Sequence, residues 1–523
     1  MSAKSKFDLT LYLVTDSTPE VLGGKDICHI VEEALKGGVT LVQYRDKHAD
    51  TGLLIETASK LHAITKKYNV PLLINDRVDV CLAVGAEGVH IGQDDMNIAK
   101  AKTLLPQGAI VGVTASSVNE ADAAIENGAD YLGIGTMFAT PTKKDTKSII
   151  GTRGTKLILS KCQTGTEHNV GCVAIGSINR SNVQRVLHQS TFGSNKLNGV
   201  AVVSAIMAAP DPQAAASELR DRIRSAAEQF YISARPGVKV AADVEEVLGQ
   251  MPAVIKKHVL SSVLCHNMTN TVVQNFAANV CLATGSSPIM SLNGAEAPDL
   301  AKLGGGLVIN MGTITPDIMS AYQAGVKAYN AAGNPVLLDP VGGGATSVRR
   351  AAIQTLLATG FYSVIKGNEG EIGAVMGSST TQQRGVDSGP SISNEEQKAD
   401  IVKWLAQRER CVVLMTGATD YLSDGSRTVA ISNGTKLLGS ITGSGCALGS
   451  VVTSYMAVHR DDKFVAALAG ILHYEIAAER AAANPSCRGP GSFIPTFLDE
   501  LYLFGRDEEN WNLHKTAKIK WLS

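Results

Sequence analysis

Val70–Asp95 reads VPLLINDRVDVCLAVGAEGVHIGQDD. An apolar run, VPLLI from Val70, gives way to a segment of helical period and then to a second short run, GVHIG from Gly88. This is the pattern of one βα unit feeding a parallel strand, and both runs end in polar residues, Asn75-Asp76 and Gln93-Asp94-Asp95. Outward from it the same alternation recurs. Before it stand LYLVT from Leu11 and VTLVQY from Val39; after it come AIVGVT from Ala109, DYLGIG from Asp130, GCVAIG from Gly171 and GVAVVS from Gly199. Eight such units in about 220 residues predict a (β/α)8 barrel rather than the alternative, an open doubly wound sheet.

The amphipathic stretch AAASELRDRIRSAAEQF then leads into YISARPGVKVAADVEE, which contains Pro236 and Gly237 and lacks strong strand signals. A boundary is expected there, giving domains 1–235 and 236–523. Beyond it glycine clusters at Gly304, Gly342 and Thr442–Cys446 flank the apolar runs LVIN, VLLDP and CVVLMTG, the pattern of a second α/β domain with helices on both faces of a sheet. The polar, turn-rich GSSTTQQRGVDSGPSISNEE reads as a surface loop.

The chain has 523 residues, 44% hydrophobic and 19% charged, a balance that supports two large cores and argues against extended disorder. With a net charge of −1 and basic residues spread along the chain, no field is present to hold nucleic acid or an anionic membrane, so small-molecule partners are expected. Nine cysteines without a CxxC, and an opening MSAKSKFDLT without an apolar leader core, point to a reducing cytoplasm.

Active sites of barrels lie at the C-terminal strand ends. Here those ends carry QYRDK, where alternation puts Gln43, Arg45 and Lys47 on one side, and two carboxylates, Asp76 and Asp95, placed to converge on one Mg2+, although helix capping is an alternative for each. ATPTKKD adds Thr140, Thr142 and Lys143, and the seventh and eighth strands end in Gly176-Ser177 and Val203-Ser204, at the recurrent phosphate site of such barrels.

Together QYRDK, INDR, HIGQDD, ATPTKKD, AIGSI and VVSA resemble thiamine-phosphate synthase over roughly residues 8 to 230. The resemblance implies coupling of hydroxymethylpyrimidine pyrophosphate to hydroxyethylthiazole phosphate with release of pyrophosphate. It implies that Asp76 and Asp95 hold Mg2+, that Arg45, Lys47, Asn75 and Lys143 hold the pyrophosphate, and that Gln43 and Thr114 line the pyrimidine site. Thr140, Thr142, Gly176, Val203 and Ser204 would bind the thiazole phosphate. Departures from the family are Ser177 for the second glycine after strand seven, Ala139 for a proline, and the stretch TFGSNKLN before strand eight, which fits a lengthened helix or a loop.

In the second half GxxxxGK[ST] is missing, which argues against a P-loop fold. Instead TGSGCALGS, Thr442–Ser450, runs into a helix, presenting N–H donors and a positive dipole end as an anion hole. Cys446 in the first turn is expected to have a lowered thiol pKa and to serve as a proton acceptor, against the alternative of a small core residue. Asp339 ends a strand before GGGAT, and Asn368 and Glu371 open a helix, where the carboxylates either orient Mg2+ or its waters or merely cap.

These motifs, with His266–Met290 and GPGSF at Gly489, resemble hydroxyethylthiazole kinase, of ribokinase-like fold, over about residues 250 to 510. The resemblance implies that Asn270 and Met290 contact the thiazole, that Thr416 and Gly443 contact the ATP phosphates, and that Cys446 is the catalytic base. It also implies that Lys366 stands where the family often has Arg, a cation near the phosphates, and that the assembly is a trimer or a hexamer of two trimers. A bifunctional thiamine-forming enzyme is therefore expected, using ATP and Mg2+, with the kinase acting first though second in the chain.

Overall fold

The computed structural model of the chain describes residues 7–138, 149–162, 170–192, 195–229, 231–377 and 393–523. The chain forms two compact units, Met1–Phe230 and Tyr231–Ser523.

In the first unit eight short strands pair in parallel in chain order: β1 (Leu11–Val14), β2 (Leu41–Tyr44), β3 (Leu72–Asn75), β4 (Gly88–Ile91), β5 (Ile110–Ala115), β6 (Tyr131–Ile134), β7 (Gly171–Ile175) and β8 (Gly199–Val202). β8 returns to pair with β1, Leu11 opposite Val200, which closes the barrel and excludes the open sheet. The strand period of two sorts side chains between two cores. Leu11, Leu13, Val42, Val89, Val111 and Leu132 pack outward against the helices. Tyr12, Val14, Leu41, Leu73, Tyr131, Val173 and Ala201 point into the barrel. Strands apolar on both faces read as continuous runs, which is why the period-two alternation is muted in the sequence. Each fully buried Leu or Val contributes about 1.5–3 kcal/mol of burial. The barrel is therefore a rigid frame for the polar residues at its strand ends.

The second unit is a nine-stranded sheet built from β9 (Leu264–Met268), β10 (Ser287–Ile289), β11 (Gly306–Asn310), β12 (Val336–Asp339), β13 (Val364–Asn368), β14 (Val412–Thr416), β15 (Asp420–Ser423), β16 (Thr428–Ile431) and β17 (Ile519–Trp521). Its order is β10-β9-β11-β12-β13-β14-β15-β16-β17, parallel from β10 to β14 and antiparallel from there to the edge. Separate apolar clusters cover its two faces. One includes the almost wholly buried helices Ser444–Val458 and Lys463–Ala483. The chain leaves β9 first toward β10 and then toward β11, on opposite sides, so the strand order reverses at β9. Ligand crevices in open α/β sheets form at such a reversal, beyond the carboxyl ends of the strands.

The segment from Tyr231 is tied into the second unit before the Pro236-Gly237 turn is reached. Ser233 Oγ accepts from Arg427 Nη2 at 2.8 Å, and Ala234 bridges to Asp462. In TFGSNKLN, between the helix Val183–Gln189 and β8, Phe192 and Asn195 form a bridge, and no helix occurs among its described residues; Gly193 and Ser194 lie outside them. Most of the turn-rich stretch after Gly377, residues 378–392, lies outside the described residues. Among the described residues no helix is long and apolar enough to cross a membrane.

Candidate active sites

At the barrel mouth β2 ends at Tyr44, so the alternation that groups Gln43, Arg45 and Lys47 stops before the two cations. Gln43 is buried inside the barrel, Arg45 is half-buried and Lys47 is exposed. Arg45 is anchored to the end of β1: its N–H donates to Thr15 Oγ1 at 2.9 Å and its Nη1 lies 3.4 Å from Asp16 Oδ2. Thr15 and Asp16 went unread in the sequence, although LVTD places two polar residues at a strand end as plainly as QYRDK does.

Asn75 ends β3 and donates through Nδ2 to Asp76 Oδ2 at 3.1 Å. Asp76 takes the left-handed conformation, φ 54°, rare for a side-chain-bearing residue and tolerated best by Asn and Asp. Asp95 Oδ2 accepts from the Gly92 N–H at 2.6 Å. Neither aspartate caps a helix, for the caps of Val78–Val84 and Ile98–Leu104 are Arg77 and Asn97. Burial raises the pKa of the Asp76 carboxyl, Asp95 raises it further, and Lys47, Arg77 and Arg45 oppose the rise. Asp95, Lys47 and Arg45 are thus near enough to Asp76 for their charges to act on its carboxyl. Arg77 is engaged with Asp79 through two hydrogen bonds, 2.6 and 2.9 Å. The mutual repulsion of Asp76 and Asp95 is what a divalent cation relieves, and Mg2+ bound by one or two carboxylates plus phosphate oxygens and water needs no third protein ligand. No cluster of three or more His, Cys, Asp or Glu residues suited to a metal occurs among the described residues.

Thr114 lies on β5, half-buried, beside the same opening. Gly176 has φ 118°, and a Cβ there would lie 2.5 Å from Thr136 Cγ2, so only glycine fits. Ser177 follows at φ 51°, the physical reason a second glycine is favoured at this position. Val203 is half-buried and Ser204 exposed, where β8 passes into the single turn Ser204–Met207. Thr140, Thr142 and Lys143 lie outside the described residues.

In the second unit the polar residues at the ends of β9, β11, β12 and β13 form one buried chain. Lys366 Nζ and Asp339 Oδ2 are 3.1 Å apart, with both side chains almost fully buried. Asn310 Nδ2 donates to the same Asp339 oxygen at 3.1 Å and Asn310 Oδ1 accepts from Asn270 Nδ2 at 3.0 Å. Asn270 Nδ2 in turn lies 3.6 Å from Cys446 Sγ. Asn310, the link between the halves, carries no motif signal and was missed. Asp339 Oδ1 is buried without a hydrogen-bond partner among the described residues, an oxygen available to a cation or its water.

Asn368 and Glu371 form a complete capping box for the helix Glu369–Met376, and Glu371 Oε1 also accepts from the Gly342 N–H at 2.9 Å. Both Glu371 oxygens are thus taken by backbone donors, one holding the helix start and one the glycine turn after β12. Burial and Asp339 push its carboxyl up to about 7.

Gly443, φ 85°, is the N-cap of Ser444–Val458 and contributes no side-chain cap. A Cβ on Gly443 would meet Val273 at 2.4 Å, and one on Gly445 would lie 3.5 Å from Lys366 Nζ. Glycine is thus required at Gly443 by its positive φ and by Val273, while at Gly445 a Cβ would make only ordinary contact with Lys366. Thr416 ends β14, and Met290 follows β10, packed against the inner apolar cluster.

One expectation is overturned. The Cys446 thiol is pushed up to about 11, not lowered: burial dominates and Asp339 adds to it, while Lys366, Asn310 and Asn270 oppose without prevailing. A helix start lowers a thiol pKa where solvent also supports the thiolate. Here Cys446 is half-buried, and that solvent support is reduced.

Family models match each half: "Thiamine monophosphate synthase" over residues 11–206 and "Hydroxyethylthiazole kinase family" over residues 255–506. The "Probable thiamine biosynthetic bifunctional enzyme" of Schizosaccharomyces pombe is 44% identical over 512 residues, 95% of each chain. The "Thiamine biosynthetic bifunctional enzyme" of Saccharomyces cerevisiae is 36% identical over 97% of this chain and 98% of its own. A "Hydroxyethylthiazole kinase" of Listeria monocytogenes matches at 42% over 49% of this chain and 91% of its own. By identity and by coverage of both halves, the chain belongs to the family of thiamine biosynthetic bifunctional enzymes.

Proposed function

We propose that the second unit phosphorylates hydroxyethylthiazole with ATP and that the barrel joins the product to hydroxymethylpyrimidine pyrophosphate, giving thiamine phosphate and pyrophosphate. The activities divide with the two compact units, after residue 230 rather than at residue 235. The observation that carries this reading is the meeting of Arg45, Lys47, Asp76 and Asp95 at one barrel mouth, where cations and paired carboxylates suit a departing pyrophosphate. Arg45 and Lys47, with Asn75 and Lys143, bind that group and hold it in line. Mg2+, when bound to Asp76 and Asp95, supplies further positive charge against the leaving oxygens. Gln43 and Thr114 orient the pyrimidine, and Thr140, Thr142, Gly176, Val203 and Ser204 hold the thiazole phosphate. Stabilising separated charge does most of the work here, because bond breaking to pyrophosphate leaves a cationic pyrimidine methylene.

In the second unit Asn270 and Met290 position the thiazole, and the Gly443 loop, Thr416 and Lys366 receive the ATP phosphates. Lys366 lacks the planar two-point grip of an arginine but carries the same charge. Asn368 and Glu371 hold the turn beneath them. Cys446 faces the alcohol as a thiol. Little proton transfer is required before the loose transition state of phosphoryl transfer, so its share of the rate is modest beside that of the anion hole. We place the enzyme in the cytoplasm as a trimer or a hexamer of two trimers.

The test supplies the purified chain with hydroxyethylthiazole, hydroxymethylpyrimidine pyrophosphate, ATP and Mg2+ and follows thiamine phosphate by mass spectrometry. Product that requires all four supports the reading, and its failure to form under those conditions defeats it.

A further inference from the structure

One buried helix grips both the Gly443 loop and the turn after Thr416. Tyr474 and Glu475 are neighbours on Lys463–Ala483, and both are buried. Tyr474 Oη donates to the Ser444 carbonyl at 2.9 Å, next to Gly443. Glu475 is hydrogen-bonded to Asp420, the first residue of β15. Asp420 Oδ1 in turn accepts from the Gly417 N–H at 2.9 Å, beside Thr416 at the end of β14. One turn further along the helix, Glu479 Oε1 accepts from the Gly434 N–H at 3.0 Å and from Lys518 Nζ at 2.8 Å. The two loops proposed to receive the ATP phosphates are therefore tied to one element, and a role for these ties in ATP binding rests on that reading.

A carboxylate has only acceptors to offer, so two carboxyl groups hydrogen-bond to each other only when a proton lies between them. No N–H group or hydroxyl of the described residues reaches Glu475 Oε2, which is buried. Two bare carboxylates in such surroundings repel strongly, whereas one shared proton leaves a neutral acid beside one carboxylate. The Gly417 N–H decides which is which: it favours charge on Asp420, so the proton rests on Glu475. Burial pushes the Asp420 carboxyl up to about 6, and burial and then Asp420 push Glu475 well above the usual carboxylate range. The other charges acting on the pair are Lys366 on β13, which favours ionised Asp420, and Glu479, which opposes ionised Glu475 and is itself bound to Lys518. One proton is therefore held from about 6, where Asp420 ionises, up to the raised value of Glu475. Past that value the proton leaves, and two buried negative charges push apart beside the Gly417 turn.

We infer that Asp420 and Glu475 are positioning residues which, by sharing one proton, clamp the Thr416–Gly417 turn to the helix Lys463–Ala483 and so set the place of the ATP phosphates. Alkaline pH opens this clamp. Burial holds the Tyr474 phenol in its protonated form, so the tie to Ser444 persists when the tie through Asp420 is lost. One of the two phosphate loops is then released and the other is not. Asn270 and Met290, the residues proposed for the thiazole, lie outside the clamp, so the alcohol substrate does not feel its opening.

Two measurements on the full chain test this. Infrared difference spectra of the wild type against Glu475→Gln at about pH 7 report the proton directly. The carbonyl stretch of a neutral carboxylic acid is expected in the wild type and absent from the variant, and a difference made only of carboxylate bands overturns the inference whatever reaction the unit catalyses. The second measurement follows KM for ATP and KM for hydroxyethylthiazole against pH. In the wild type KM for ATP should rise about tenfold on the alkaline side while KM for the alcohol holds. Glu475→Gln, whose amide keeps a donor for Asp420 and does not ionise, should lose that rise. Glu475→Ala, which takes the donor away, should show the raised KM for ATP at every pH. A rise that persists in Glu475→Gln, or one that affects both KM values alike, overturns the inference. Where Glu475→Ala fails to fold, the profile of Glu475→Gln decides alone. Absence of any ATP-dependent phosphorylation by the wild type defeats the proposed reaction instead, and the infrared spectra still decide the shared proton.

Discussion

The two sites handle charge in opposite ways. At the barrel mouth Arg45, Lys47, Asp76 and Asp95 are half-buried or exposed and loosely tied: Arg45 is 3.4 Å from the buried Asp16, and Asp76 and Asp95 repel each other. In the second unit Lys366, Asp339 and Glu371 are buried, and each is bound to another residue of the site. The first arrangement leaves its charges open to an arriving ligand. The second is assembled in advance, in surroundings of low dielectric where each charge acts strongly and each lost partner is costly.

The contrast is put under most strain at Asp339. Asp339→Ala leaves Lys366 buried without its carboxylate, and breaking such a pair costs about 3–5 kcal/mol. Denaturant unfolding should show that loss in the second unit, kinase activity should vanish, and coupling from supplied thiazole phosphate should persist. An unfolding midpoint close to that of the wild type would mean the pair is not structurally coupled as its burial implies.

Arg45→Ala tests the other side. Coupling should fall on the order of 10²-fold, the usual loss when one donor to developing charge is removed. Stability should change by no more than about 1 kcal/mol, because the Arg45 pair is partly solvated. Kinase rates should be unaffected. A variant that loses both activities would remove the independence of the two sites.

The pattern of these differences explains what the sequence disclosed. The eight strand runs were all legible, since a buried parallel strand is apolar on both faces and bounded by turn residues. The glycine loop at Thr442–Cys446 was legible because close approach demands glycine, and a Cβ on Gly443 would strike Val273. For Asp76 and Asp95 the spacing allowed capping as readily as pairing, and only the positions of Arg77 and Asn97 as the caps removed that alternative. Burial was not legible. The helix-start argument for Cys446 was sound locally and failed because burial, and after it the negative charge of Asp339, outweigh it. Asn310 and the Asp420–Glu475 pair were invisible for the same reason: each joins elements distant in sequence and has no local spacing to betray it.

Cys446 sharpens the contrast further. A thiol pushed up to about 11 ionises only as pH rises toward that value, so its thiolate fraction at neutral pH is roughly a hundredfold below that of an ordinary cysteine. Alkylation of Cys446 by iodoacetamide, followed by peptide mass spectrometry, should be slow at pH 7 and climb about tenfold per pH unit to above pH 10. A plateau near pH 8 would restore the lowered thiol and with it a larger role as base. Asp339→Asn should move the onset to lower pH, since it removes the negative charge that opposes ionisation.

The smallest effect belongs to Ser177, where the resemblance drawn from the sequence leads one to expect a second glycine. At φ 51° a serine pays steric strain that glycine avoids, on the order of 1 kcal/mol, partly returned because glycine loosens the unfolded chain. Ser177 O is held by Asn182 Nδ2 at 2.9 Å, so the turn keeps its shape when the side chain is removed. Ser177→Gly should therefore raise the melting temperature of the barrel by a degree or two, of the order expected for a few tenths of a kcal/mol. Because Gly176 and Ser177 lie at the proposed thiazole phosphate site, KM for that substrate should shift as well, while KM for the pyrimidine pyrophosphate stays fixed. If the two KM values moved together, the turn would serve the whole mouth rather than one phosphate, and the view of the mouth as a set of loosely tied ligands would give way to one of a shared scaffold.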